Sequence, residues 1–267
     1  MSHPQRQRPL KRLGQHFLTD PGLMEEMLDR AGISASDRVV ELGAGKGILT
    51  IPLARRVERM VAVEVDPFLI PVLKKQLKIF PEGRVRLSQG DIMKLDYKAL
   101  SEELGGKLTV VGNIPYQLTS PILFQLLDAK ACLARALLTM QKEVGVRLLG
   151  APCTKAYGIL TVLVSYVAAA RPVMEIPASA FHPRPKVDSL SVLLDFSRPH
   201  PRRARDENIF KKLVRAAFAH RRKTLKNALK SFLETDPSPM LESLGINPER
   251  RPETLNMDEW IKISNSL

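Results

Sequence analysis

The sequence predicts an α/β protein, a parallel doubly wound sheet followed by a small all-α domain, and three observations carry that prediction. Short apolar runs alternate with helically spaced stretches from residue 38 to 142, a glycine-rich turn follows the first run, and the periodicity beyond residue 200 is helical. The runs 38–42, 60–64, 85–87 and 108–111 are β-branched and flanked by Gly, Pro or Asp, and 136–140 is a candidate fifth strand. Between them the spacing turns helical. After Asp66-Pro67, for example, Phe68, Leu69, Val72, Leu73 and Leu77 recur with helical spacing, Asp66 can cap and Pro67 suits a first turn.

Past residue 150 the stretch 156–168 fits a buried helix or a strand by periodicity, and its length favours helix. Residues 173–176 and 189–196 read as strands, an antiparallel pair closing the sheet. Between them lies Phe181-His182-Pro183-Arg184-Pro185, whose prolines cannot sit in a central strand. Arg198-Pro199-His200-Pro201 marks a linker, which divides the chain into domains 1–199 and 200–267. Helices are expected over 207–218, 222–233, 240–244 and 257–263. Gly245 ends the third, and Asn256 and Glu259 are spaced for a capping box on the fourth.

The 267 residues, 44% hydrophobic and 26% charged, suffice for a sizeable core. No apolar run reaches the roughly 18 residues of a membrane span. The longest candidate, 159–170, contains Ser165 and Tyr166, so no membrane association is expected. The basic N-terminus lacks the apolar segment of a secretory signal, and two cysteines, Cys132 and Cys153, are too few for a disulfide framework. A reduced, cytoplasmic protein is the expectation. The net charge of +13 is concentrated: residues 198–230 hold twelve Lys or Arg against Asp206 and Glu207, while Arg6, Arg8, Lys11 and Arg12 add more near the start. A nearly neutral body with two basic segments is the pattern of a protein that meets a polyanion, here nucleic acid.

The turn Glu41-Leu42-Gly43-Ala44-Gly45-Lys46-Gly47 follows a strand and opens a helical stretch. The NAD spacing fails because the third glycine comes one residue early, and a P-loop fails because Gly47, not Ser or Thr, follows Lys46. What remains, E-x-G-x-G-x-G, resembles motif I of S-adenosylmethionine-dependent methyltransferases. That ligand has a nucleoside but no phosphate, so it wants acceptors. Glu64, ending the second strand, can accept from both ribose hydroxyls, and Asp91, after the third, from an adenine amino group. Asp66 is better explained by helix capping.

After the fourth strand stands Gly112-Asn113-Ile114-Pro115-Tyr116. An exocyclic amino group is a poor nucleophile because its lone pair is delocalised into the ring. Acceptors around it, the Asn113 side-chain carbonyl and the Pro115 backbone carbonyl, favour the pyramidal form that attacks a methyl group. Tyr116 can offer a flat face to the base, and no metal or covalent intermediate is needed. N-x-P-Y resembles the motif of amino-group methyltransferases, and the basic segments select nucleic acid among their substrates.

From Gly14 to Leu267 the chain resembles the small-subunit (16S) ribosomal RNA adenine N6,N6-dimethyltransferase family, which includes the bacterial enzyme linked to kasugamycin sensitivity. The resemblance lies in Gly14-Gln15-His16-Phe17-Leu18, residues 41–50, Glu64, Gly90-Asp91, residues 113–116 and 181–189, and His220-Arg221-Arg222-Lys223-Thr224-Leu225-Lys226-Asn227. Two positions depart from the family: His16 stands where Asn is common, and Ala44 where Pro is frequent. The resemblance implies a Rossmann-like S-adenosylmethionine-dependent methyltransferase sheet with a small all-α C-terminal domain. It implies a cofactor pocket lined by His16, Leu18, Gly43, Glu64, Asp91 and Asn113, with Phe181 helping to hold a flipped adenine beside Tyr116. The implied substrate is two adjacent adenosines in the 3′-terminal hairpin of 16S rRNA, each dimethylated by a monomeric enzyme within an immature small subunit. Arg221, Arg222, Lys223 and Lys226 would bind RNA. Arg222, Lys226 and Lys230 recur every four residues, beside an apolar stripe of Leu225, Leu229 and Phe232. Two other readings compete. A 23S rRNA adenine methyltransferase of the macrolide-resistance type shares the cofactor motifs and N-x-P-Y, but the residues 221–227 and the helical tail look like the small-subunit type. A noncatalytic ribosome assembly factor is opposed by the intact Asn113, Pro115 and Tyr116.

Overall fold

A computed structural model describes residues 16–267; the basic positions Arg6 to Arg12 and the Gly14-Gln15 pair of the N-terminal motif lie outside them. The described residues form two compact units, one of residues 16–145 and Pro172–Leu194, the other of Val146–Arg171 and Asp195–Leu267.

The first unit holds most of a seven-stranded sheet. Its strands are β2 (Arg38–Leu42), β3 (Arg59–Glu64), β4 (Val85–Gln89), β5 (Leu108–Asn113), β6 (Leu133–Gln141), β7 (Ala169–Ile176) and β9 (Ser189–Asp195), in the order β4-β3-β2-β5-β6-β9-β7. The strands β4, β3, β2, β5 and β6 are parallel, with Val40 opposite Val61 and Val110, so their carboxyl ends line up along one edge. β2, β3 and β5 in the middle are buried nearly throughout, as a parallel sheet covered on both faces requires, whereas the edge strand β4 (Val-Arg-Leu-Ser-Gln) is only partly buried. The crossovers are α2 (Thr50–Arg56), α3 (Ile70–Leu77), α4 (Tyr97–Leu104) and α5 (Thr119–Asp128), and α6 (Lys142–Leu148) follows β6. The last two strands join as anticipated, with β9 inserted beside β6 and β7 outermost. β9 is buried nearly throughout, whereas β7 carries Arg171 and Pro172, and proline is tolerated on an edge.

Two elements of this unit add to the sequence reading. Helix α1 (Pro21–Ala31) is capped by the Asp20 carboxylate, starts on Pro21 and stops at Gly32 in the left-handed region; it buries Met24, Met27, Leu28 and Ala31. A two-residue strand, β1 (Phe17–Leu18), pairs antiparallel with β8 (Phe181–His182), inside the proline-rich stretch. Helix α3 begins at Ile70, later than the helical spacing suggested. Asp66 accepts from the Phe68 amide at 2.9 Å and so caps a preceding turn.

The second unit contains α7 (Ile159–Val167), α8 (Glu207–Ala219), α9 (Leu225–Leu233), α10 (Ser238–Ser243) and α11 (Met257–Asn265). It takes in residues 146–171, which a cut at 199/200 gives to the first unit. The physical reason is aromatic packing: Tyr166 of α7 stacks on Phe210 of α8 with centroids 4.3 Å apart, and the Tyr157 hydroxyl donates to the Leu255 carbonyl at 2.7 Å while accepting from Trp260 Nε1 at 3.2 Å. The capping box forms as the sequence suggests, Asn256 and Glu259 exchanging side-chain to backbone bonds of 2.9 Å. Among the described residues no helix is long and apolar enough to cross a membrane.

Candidate active site

The carboxyl ends of β2, β3 and β5, with the turn after β4, converge on a cavity of ≈300 Å³. This is where an open parallel sheet leaves a crevice, because the strand order reverses there. The glycine turn forms the first wall. Gly43 and Ala44 donate to the Val63 carbonyl at 3.0 and 2.9 Å, which ties the turn to β3. Gly45 has φ +57°, and a Cβ there would stand 2.9 Å from the Phe17 ring, so the position needs glycine for both conformation and space. Glu64 is 2% exposed; one oxygen accepts from the Gly45 amide at 2.7 Å and the other from the Asp66 amide at 2.9 Å. The carboxylate therefore holds two backbone loops apart at a fixed width, and each oxygen keeps a lone pair for a ligand. Asp91 accepts from the Met93 amide at 2.9 Å and also lines the cavity.

The donor set and the free space of the pocket suit a nucleoside cofactor. Two carboxylates offer acceptors to hydroxyl and amino groups, while Val65, Ile92 and Met93 supply apolar walls beside them. A Cβ on Gly43 would meet nothing within 4 Å, so the turn opens onto free space there. An anionic phosphate would meet two carboxylates; a nucleoside with a cationic tail suits this lining. The residues fit S-adenosylmethionine.

The second wall is the segment after β5. Asn113 closes the strand, and its side-chain Nδ2 donates to the His16 carbonyl at 2.8 Å. That commits the amide's donor end and leaves Oδ1 as the acceptor. The Pro115 carbonyl accepts from the Leu118 amide at 2.8 Å within the 3₁₀ turn Tyr116–Leu118, so one of its lone pairs is engaged. The Tyr116 ring lies 5.4 Å from the His16 ring at 30°, and its hydroxyl meets Ser189 Oγ at 2.9 Å. Burial raises the Tyr116 pKa, so the phenol stays neutral. His16 Nδ1 donates to the Pro183 carbonyl at 2.7 Å.

The cavity thus gathers His16, Gly43, Glu64, Asp91, Asn113, Pro115 and Tyr116. Leu18 and Phe181 are not among its walls. They face each other across the β1–β8 pair, each 4% exposed, inside the hydrophobic core. Their contribution is to hold β1 so that its neighbours His16 and Phe17 reach the site; an apolar side chain with a core available packs there. Gly45 of the glycine turn lines the cavity too, and so do Phe17, Val65, Ile92 and Met93, which the sequence motifs did not single out as site residues. For Val65 and Ile92 the available signal was an apolar residue directly after each acid.

A sequence profile described as ribosomal RNA adenine dimethylase matches residues 7–267, nearly the whole chain. The chain belongs to this family. As a ribosomal RNA adenine dimethylase it is 40% identical to a ribosomal RNA small subunit methyltransferase A of Magnetococcus marinus, over 97% of this chain and 91% of that one. It is also 40% identical to one of Bacillus cereus, over 96% and 90%. Among solved structures the dimethylase resembles a dimethyladenosine transferase from Plasmodium falciparum at 25% identity and TM-score 0.77, covering 93% and 96% of the two chains. The 23S rRNA methyltransferase ErmE shares the fold, with TM-score 0.72 at 22% identity over 94% and 99%.

In the second unit of the dimethylase the basic residues divide. Arg221 donates to Glu253 at 2.7 Å and to the carbonyls of Lys155 and Thr154 at 2.9 and 3.3 Å, so it braces the unit internally. Lys226 pairs with Glu249. Helix α9 starts at Leu225, so Arg222 lies in the preceding turn and does not extend a Lys226–Lys230 face. The cause is local: Lys223 N donates to the His220 carbonyl at 2.8 Å, closing a turn ahead of the helix. Leu225 and Leu229 are buried as the apolar stripe requires. Arg222 is exposed, and Lys223 and Lys230 border a shallow depression with His220, Asn227 and Ser231.

Proposed function

We propose that this dimethylase transfers methyl groups from S-adenosylmethionine to N6 of two adjacent adenosines in the 3′-terminal hairpin of 16S rRNA, as a monomer in the cytoplasm, within an immature small subunit. The observation that carries it is the Asn113 amide, oriented by the His16 carbonyl with its acceptor end unspent at the mouth of an acid-lined pocket. Bound there, S-adenosylmethionine supplies an electrophilic methyl group.

Glu64 accepts from the ribose hydroxyls and Asp91 from the adenine amino group of the cofactor, each with the lone pairs its backbone bonds leave free. The target adenine leaves its stack at a cost of a few kcal/mol and lies against the Tyr116 ring. Asn113 Oδ1 and the remaining lone pair of the Pro115 carbonyl draw the two N6 hydrogens out of the ring plane, which localises the nitrogen lone pair for attack. The proton made acidic by methylation passes to water. Arg222, Lys223 and Lys230 supply phosphate contacts, with Arg221 and Lys226 reaching RNA less because they are already paired. The 40% identity to small subunit methyltransferases favours this substrate over 23S rRNA.

Purified protein incubated with undermethylated small subunits and labelled S-adenosylmethionine is expected to give N6,N6-dimethyladenosine at two adjacent positions of 16S rRNA on nucleoside analysis. Label in 23S rRNA, or none, overturns the assignment. In the same assay Asn113→Ala should slow methylation about 10²- to 10³-fold with cofactor affinity changed only a few-fold. Glu64→Ala should weaken the cofactor about tenfold or more. Equal losses of cofactor binding in both would refute this division of roles.

A further inference from the structure

Tyr116 is restrained at both its hydroxyl and its ring. The phenol meets Ser189 Oγ at 2.9 Å, and Ser189, at the start of β9, is completely buried. The ring faces the His16 imidazole, which the Pro183 carbonyl holds through Nδ1. Both anchors come from one segment, residues 178–189. That segment is closed on itself where the Asp188 carboxylate accepts from the Ala178 amide at 2.9 Å, and it is pinned to the chain just after β1 by Thr19 N donating to the Ala180 carbonyl at 2.9 Å. A tyrosine at a pocket mouth whose hydroxyl bonded only to water would be free to swing about its side-chain torsions; a bond to a buried hydroxyl on a sheet strand removes that freedom.

We propose that Ser189 is a positioning residue for methyl transfer, its Oγ locking the Tyr116 ring at the angle against which the target adenine lies. This rests on Tyr116 being the adenine platform, as argued above. The segment 178–189 therefore does more than end a strand: it sets the orientation of both rings beside Asn113. Ser189 touches no substrate itself, and its influence on the rate passes through the tyrosine hydroxyl.

The test is a double-mutant cycle in the full chain with undermethylated small subunits: Ser189→Ala, Tyr116→Phe, and both together, with Tyr116→Ala alongside. Each single variant of the cycle is expected to lower kcat about tenfold, and the double variant no further, because both remove one and the same bond. Affinity for S-adenosylhomocysteine by calorimetry should stay within about twofold, since the bond lies outside the cofactor contacts. Losses that multiply to about a hundredfold in the double variant, or a Ser189→Ala defect that appears in cofactor affinity as much as in kcat, overturn the proposal. If Ser189→Ala does not fold, Tyr116→Phe decides alone, full activity overturning and a tenfold loss supporting. Tyr116→Ala separates the two levels of inference. Full activity there removes the platform reading itself, whereas a loss combined with additive single variants removes only the role of Ser189.

Discussion

Glu41 carries a buried acid group on the sheet beside the site. It lies in β2 opposite Ala62 and Val111, is fully buried, and neither carboxylate oxygen has a hydrogen-bond partner. Burial pushes its pKa up to about 8; the Thr50 hydroxyl offsets part of this without a bond of good geometry, and the charge of Glu64 adds to it. Because the folded chain keeps a proton that the unfolded chain releases above its ordinary pKa of 4.5, stability from this group falls as pH rises from about 4.5 to 8 and is level beyond. The slope is at most about 1.4 kcal/mol per pH unit. Urea titrations of wild type and Glu41→Gln from pH 5 to 8 should show that decline in the wild type and a flatter profile in the variant; parallel profiles would place the proton elsewhere. At this scale the acids at strand ends were legible because each follows a β-branched run. Leu18 and Phe181 were not, because an aromatic or aliphatic side chain in a short motif serves a core or a ligand equally well, and only the packing around it decides.

The element on which the pocket depends is the turn between β2 and α2. Its glycines were readable from spacing, but the reason for Gly45 is a contact with Phe17, more than twenty residues earlier, brought there by the β1–β8 pair. Gly45→Ala is expected to force Phe17 aside and strain a left-handed backbone by about 1 kcal/mol. Cofactor affinity should fall at least about tenfold by calorimetry, with a thermal midpoint lowered by a few degrees. Unchanged affinity would show that the turn tolerates the side chain by moving elsewhere. Helix α1 carried strong local signals, Asp20-Pro21 at its start and Gly32 at its end, with Met24, Met27, Leu28 and Ala31 at helical spacing. The start of α9 was placed too early because Arg222 fits a four-residue repeat, and periodicity does not register a hydrogen-bonded turn.

At the scale of the whole molecule the charge is the main quantity. The net +13 leaves the strand-bearing part of the chain nearly neutral, so RNA affinity should come from phosphate contacts and respond steeply to salt. If roughly six to ten phosphates are neutralised, affinity for small subunits falls about 10³- to 10⁵-fold between 50 and 200 mM salt. Replacing Lys223 and Lys230 by Ala should each reduce the logarithmic slope by about 1 while cofactor affinity is unchanged. A filter-binding series across that range is the measurement, and a flat response would remove the electrostatic reading. The division into units belongs to the same scale. Residues 146–171 lie with the helical unit because Tyr157 and Tyr166 find their partners among its aromatic side chains, a pairing between distant segments that no local pattern encodes.

The sequence by itself determined the parallel sheet, the glycine turn, the acids at its strand ends and the N-x-P-Y segment, because each follows from local periodicity or from spacing within a few residues. Only the tertiary structure decided which side chains face the cavity. It sent Leu18 and Phe181 into the core, spent Arg221 and Lys226 on internal ion pairs, and turned Asn113 acceptor-outward against the His16 carbonyl. These outcomes depend on partners up to about a hundred residues or more away, and a buried polar or apolar group takes whichever partner the packed chain presents.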